Sequence, residues 1–227
     1  MSRNTKISAA LIAVFAIVLA AVALTASNSD KPAAKAKPPA TNADKTALAS
    51  TPVVASDPRS AGKPGSTGVT LTEFLDFECE ACGAAYPMIE QLRKEYEGHV
   101  TFNVRYFPIE SHKNSRTAAT AVEAAAQQDK FGPMYQRMFE TQIEWGESTS
   151  SQADRFRNYA KDLGLDMKKF DADVADPKTA ARIERDVKAG EALGVQGTPS
   201  FFINEERIEP QSVEDIRTQL DAAIAGS

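Results

Sequence analysis

The sequence predicts an α/β fold in which a β-α-β unit and a later β-β-α unit are separated by a long helical insertion. Three observations carry this. An apolar stretch, Val69–Phe77, runs directly into a Cys-x-x-Cys, Cys79 to Cys82, that opens a helical pattern. A second strand pattern follows that helix, and then none occurs from Pro108 to Gly197. Strand patterns return at Thr198–Asn204 and Arg207–Glu209, ahead of a closing amphipathic segment.

Taken in order, Arg3 and Lys6 precede an uncharged run, Ile7–Ala26, of mostly Ala, Val, Leu, Ile and Phe. About 20 apolar residues suffice for a helix to cross a bilayer. The run reads as an uncleaved anchor, so residues 1–26 form a cytoplasmic stub and transmembrane helix. Secretion after signal cleavage is the alternative, with Ala21-Val22-Ala23 or Thr25-Ala26-Ser27 as the cleavage site. A large folded domain translocates regardless of nearby charge, which places the rest of the chain outside the cytoplasm. That side is oxidising, and disulfides persist there. Residues 27–68 are rich in Ala, Pro, Ser, Thr, Gly and Lys, with prolines at 32, 38, 39, 52, 58 and 64. Such a segment buries too little apolar surface to offset its ordering entropy, and it reads as a disordered tether.

From 69 onward the pattern is that of a folded domain. Val69–Phe77 is apolar on both faces apart from Glu73 and Asp76, as in a buried central strand. Tyr86, Ile89, Leu92 and Tyr96 recur at helical spacing, with Pro87 expected to kink the helix and Gly98 to end it. Val100–Phe107 alternates as a second, parallel strand reached by a right-handed crossover. The insertion, at about 110–195, breaks into helical segments at Arg116–Asp129, Phe131–Ile143, Gln152–Leu163, Met167–Val174 and Lys178–Leu193. The last helix is expected from Pro210 to Ala225, with Pro210 near its start.

Charge narrows the function. Residues 1–68 carry 8 Lys/Arg against 3 Asp/Glu, whereas residues 69–227 carry 18 against 28. An acidic folded part argues against nucleic acid, whose binding rests on neutralising phosphates.

Cys79 and Cys82 are the only cysteines in the sequence, so the pair itself is the candidate site. The reactive species of a cysteine is its thiolate. At a helix N-terminus, unpaired backbone N–H groups and the dipole favour that anion, so Cys79 is expected to ionise in the range of about 3.5–7.5. Cys82, one turn further in, is expected to be shielded and to act as the resolving thiol. A static disulfide or half of a zinc site are the bland alternatives. Zinc needs further ligands, and His99 and His112, the only histidines, fit no finger spacing. Neither a metal nor a bound cofactor is expected.

Phe77-Glu78-Cys79-Glu80-Ala81-Cys82-Gly83, Glu73 six residues before the first cysteine, and Gly197-Thr198-Pro199-Ser200-Phe201 together resemble the DsbA/DsbG-like thiol–disulfide oxidoreductases. These are a branch of the thioredoxin superfamily, and the resemblance runs from about residue 69 to the C-terminus. It implies a thioredoxin fold, and a buried carboxylate, Glu73, that passes protons to and from the resolving cysteine. It also implies a cis-proline loop at Thr198 and Pro199, whose backbone would pair with an extended peptide. A strand-end carboxylate facing water and an ordinary strand-opening proline are the alternatives. Asp76 and His112 read as structural, and Trp145 as either a lid or a packed side chain.

The resemblance fails between the cysteines. Relatives often carry Pro followed by His or Tyr, where this chain has Glu80 and Ala81. A carboxylate beside Cys79 disfavours the thiolate, and a less stabilised reduced form makes a weaker oxidant. Isomerases of this type are usually dimers with an N-terminal dimerisation domain, and the tether reads as holding no such domain. The expectation is therefore a monomeric oxidase acting on unfolded exported proteins that bear cysteines, with a quinone-linked membrane reoxidase as its electron acceptor. A reductase or isomerase serving a dedicated envelope target, and a non-catalytic binding module, stand as the other readings.

Overall fold

The computed structural model describes residues 51–227. The expected anchor, and the tether up to residue 50, lie outside the described residues. No helix among the described residues is long and apolar enough to cross a membrane.

Among the described residues, five strands form one mixed sheet. They are β1 (Arg59–Ser60), β2 (Thr70–Leu75), β3 (Thr101–Tyr106), β4 (Ser200–Ile203) and β5 (Glu206–Ile208), in the order β1-β3-β2-β4-β5. β2 is central, parallel to β3 and antiparallel to β4, with Glu73 level with Val104 on one side and Phe201 on the other. Helix α1 (Glu80–Glu95) makes the crossover from β2 to β3. Pro87 sits within it without ending it, and Gly98 at φ 76° makes the turn that follows. The insertion comprises α2 (Ser115–Ala126), α3 (Phe131–Glu140), a 3-10 turn at Gln142–Glu144, α4 (Ala153–Asp162), α5 (Met167–Ala175) and α6 (Pro177–Ala192). The last helix, α7 (Val213–Ala225), starts three residues beyond the expected Pro210. Ser212 caps it by accepting from the Asp215 N–H, a bond the proline could not provide.

Packing follows the alternation of side chains along the strands. Leu71, Phe102, Phe201 and Ile203 meet Ile89 and Leu92 of α1 and Ile216 and Leu220 of α7. Phe74, Phe107 and Phe202 face the other way, with Val53 and Val195. Gly190 lets α6 lie close against this second face. A methyl group there would fall 2.7 Å from the Phe107 ring and 3.1 Å from Phe74. Gly190→Ala should therefore lower the unfolding free energy by about 1–3 kcal/mol, as overpacked cores do, which urea titration would read directly.

The expectation of a tether reaching residue 68 is corrected at its C-terminal end. Residues 51–68 are laid along the domain, and β1 pairs antiparallel with β3. Val53 is fully buried. The buried Arg105 donates to the Val53 carbonyl at 2.7 Å and to Asp186 Oδ1 at 2.6 Å, and Arg182 donates to the Asp57 carbonyl at 3.2 Å. Arg59 meets the buried Glu123, which also accepts from the Tyr106 hydroxyl at 3.1 Å. The segment is poor in apolar residues, but partners far away in sequence satisfy its backbone and charges.

Candidate active site

β2 ends at Leu75 and α1 begins at Glu80, so the intervening turn delivers Cys79 to the N-cap of α1. No side chain caps the helix. The free N–H groups of its first turn are left to the sulfur instead. Cys79 and Cys82 are unbonded thiols; Cys79 is half-buried and Cys82 fully buried. The Cys79 thiol is brought down to about 5, chiefly by the hydrogen bond from Cys82. The Thr198 side chain and the N–H groups of Cys82 and Ala81 add to this, against burial. Glu80 does not prevent it, because its carboxylate is exposed and screened by water. Cys82 goes the other way: burial, then its bond to Cys79 and the charge of Glu73, raise it well above a free thiol.

Glu73 is buried in the central strand, and no hydrogen-bond partner among the described residues holds its carboxyl. Burial, and after it the Cys79 charge, raise it to about 8, so it keeps a proton at neutral pH. Tyr135, close enough to feel the Glu73 charge, belongs to an aromatic cluster in which its ring lies 5.2 Å from Phe139 and 5.6 Å from Tyr86. Across from the helix, the Thr198–Pro199 peptide is cis. The Thr198 carbonyl accepts from Cys79 Sγ at 3.4 Å, and the Thr198 hydroxyl is buried with no other partner among the described residues. The structure thus brings Cys79, Cys82, Glu73 and Thr198 into one centre, with Pro199 joined to Thr198. Ala81 contributes its N–H, and Glu80 stands exposed at the mouth.

Two further groups come from the insertion, and only one of them is singled out by the sequence. His112 Nδ1 lies 2.6 Å from Asp76 Oδ2. Gln142 Nε2 donates to the carbonyls of both Phe77 and Cys79, each at 2.8 Å, and so pins the turn that carries the cysteine. A glutamine between two helical segments gives no signal in the sequence. The indirect trace is Gly83, where a methyl would fall 1.9 Å from Gln142 Oε1. Gln142→Ala leaves two carbonyls without this donor. It should cost about 1–2 kcal/mol and slow disulfide exchange, measurable by thermal unfolding and stopped-flow fluorescence. Trp145 is a packed side chain and no lid: it is fully buried, 4.8 Å from the Phe156 ring, and donates to the Met138 carbonyl.

Known proteins share this fold. A model of the thioredoxin family matches residues 54–222. An Na(+)/H(+) antiporter, NhaA 3 of Salinispora tropica, is 36% identical over 166 residues, which are 72% of this chain but 24% of that protein. The chain thus spans about a quarter of the length of this relative. Oxidised BdbD of Bacillus subtilis aligns with a TM-score of 0.63 at 21% identity, over 74% of this chain and 99% of that one. The thiol-disulfide exchange protein α-DsbA2 of Wolbachia pipientis aligns at 0.64 and 19%, over 81% and 99%. With the family model covering most of its length and its fold that of the DsbA-like proteins, the chain belongs to the thioredoxin family.

Proposed function

We propose that the protein is a membrane-tethered, extracytoplasmic thiol–disulfide oxidase that forms disulfides in newly exported proteins. The observation that carries this is the opposite treatment of two sulfurs one helical turn apart. Cys79 is held near 5, while Cys82 is held well above the ordinary range. A reduced form so stabilised makes the disulfide form a strong oxidant.

In the disulfide form, a substrate thiolate attacks Cys79 Sγ and the Cys79–Cys82 bond breaks. The electron pair leaves on Cys82, which takes up the proton held by Glu73. A second substrate thiolate then attacks the substrate sulfur of the mixed disulfide and expels Cys79 as a stable thiolate. Two electrons pass from the substrate to the pair, and a quinone-linked membrane reoxidase would remove them. Thr198 and Pro199, beside Cys79, offer backbone to an extended substrate strand. A monomer suffices, since one chain supplies every group named. Ion transport is not carried over from the antiporter relatives, because the chain corresponds to only about a quarter of their length.

The test is whether the purified disulfide form oxidises a reduced, unfolded model protein stoichiometrically, together with its equilibrium against glutathione. An oxidase should show a potential above about −200 mV. A potential near that of thioredoxin, about −270 mV, would replace this reading by the reductase. No exchange at all would leave a binding module.

A further inference from the structure

We propose that His112, clamped by Asp76, is a fixed cation that stabilises the Cys79 thiolate and so sets the oxidising strength of the pair. The inference rests on the oxidase reading and adds to it a positioning pair outside the Cys-x-x-Cys.

Asp76 is the hub of the turn between β2 and α1. Its Oδ1 accepts from the Glu78 N–H at 2.9 Å, and its Oδ2 accepts from the Ile109 N–H at 3.0 Å while facing His112 Nδ1 at 2.6 Å. Its carbonyl accepts from the Cys79 N–H at 3.1 Å, and its own N–H is turned to the Cys82 sulfur. The Asp76 side chain is wholly buried, whereas that of His112 is 33% exposed. A buried carboxylate needs a counter-charge, and 2.6 Å is the separation of a charge-assisted bond. One nitrogen of the ring is thus fixed, and the rest faces the cleft at the mouth of the site.

Glu78, Glu80, Lys113 and Glu147 also line that cleft, so the ring shares it with three carboxylates and one cation, besides its Asp76 partner. Burial works to lower His112, but the Asp76 bond and charge, then the charges of Cys79 and Glu78, outweigh it and hold the ring above its ordinary value. The coupling is reciprocal: if the thiolate favours the imidazolium, the imidazolium favours the thiolate by the same factor. Glu80 and Ala81 put no cation between the cysteines, and His112 supplies one from the loop before α2.

The wild-type full chain provides the first test. The ring signals of His112 are followed against pH in the reduced and disulfide forms, with His99, at the far end of β3, as the reference. The midpoint of His112 should be higher in the reduced form, where the thiolate exists. In His112→Gln, ultraviolet titration of the thiolate should show Cys79 ionising about half to one pH unit higher, a factor of about 3–10 in the thiol–thiolate ratio. The glutathione equilibrium should move by the same factor toward a less oxidising disulfide, and His112→Lys should recover most of both changes. An identical His112 midpoint in the two redox forms, or an unmoved Cys79 titration in His112→Gln, would overturn the proposal even if melting temperature falls. Either result would leave the oxidase reading intact, because that reading is decided by the wild-type protein's own potential and by its oxidation of a reduced substrate.

Discussion

Cys79→Ala should abolish oxidation of a reduced substrate protein, with no residual turnover above the uncatalysed rate. Cys82→Ala should instead accumulate a covalent mixed disulfide. The asymmetry follows from where the two sulfurs lie. Cys79 caps α1 and is half-buried, open to an incoming thiolate and stabilised as a leaving group at about 5. Cys82 is fully buried behind it and pushed well above the ordinary thiol range. An external thiol therefore reaches only Cys79, and release of the substrate back to the free enzyme depends on Cys82. Non-reducing gels of Cys82→Ala, with Cys79 first loaded as a mixed disulfide with glutathione and then given a reduced substrate that carries a single cysteine, should show the adduct as glutathione leaves, and dithiothreitol should dissolve it. A Cys79→Ala protein that still turned over, or an adduct formed through Cys82, would invert the assignment and with it the mechanism.

That pair is legible in the sequence because its signals are local. An apolar run, a Cys-x-x-Cys and a helical repeat lie within a few turns of one another, so the cap position of Cys79 follows from the order of residues alone. Glu73 is legible for a similar reason, as an acid set in a strand otherwise apolar. Residues 51–68 defeat a compositional reading because Arg59 and Ser60 carry no strand pattern, and what holds them is Arg105, Arg182 and Glu123 at distant positions. Composition reports whether a segment can bury apolar surface, not whether buried charges elsewhere await its carbonyls. The same limit hides Gln142 and the partner of His112, since both matter through long-range contacts. The helical insertion thus does more than cover one end of the sheet. From two loops it reaches back to the turn that presents Cys79, with Gln142 fixing the backbone and His112 adding charge.

Glu73→Gln should make the protein more stable and less active at the same time. The Glu73 carboxyl titrates near 8 when folded, against an ordinary value of 4.5, with burial as the main cause. The folded state therefore keeps a proton that the unfolded chain releases. Stability from this group is complete below about 4.5, drains away as pH rises toward 8, and is flat beyond. The loss accumulated by then is on the order of 3–5 kcal/mol, since each tenfold difference in proton affinity between the folded and unfolded chain corresponds to about 1.36 kcal/mol. Glutamine has nearly the same shape, carries no charge and opens no cavity, so urea titrations of the variant should lack this decline. Its advantage over wild type should be absent near pH 4 and largest above pH 8. Catalysis should suffer, because the departing Cys82 sulfur loses its proton source. Loss of a positioned general acid costs roughly 100-fold or more, visible as slower reduction of the disulfide form by substrate in stopped-flow. An active site that stores an unpaired buried acid trades stability for function, and removing the acid should return the one at the expense of the other. If Glu73→Gln showed the same pH dependence of stability as wild type and the same rate, the carboxyl would have to be ionised and idle within the fold. The burial of Glu73 in the central strand would then have no role in the chemistry of the site.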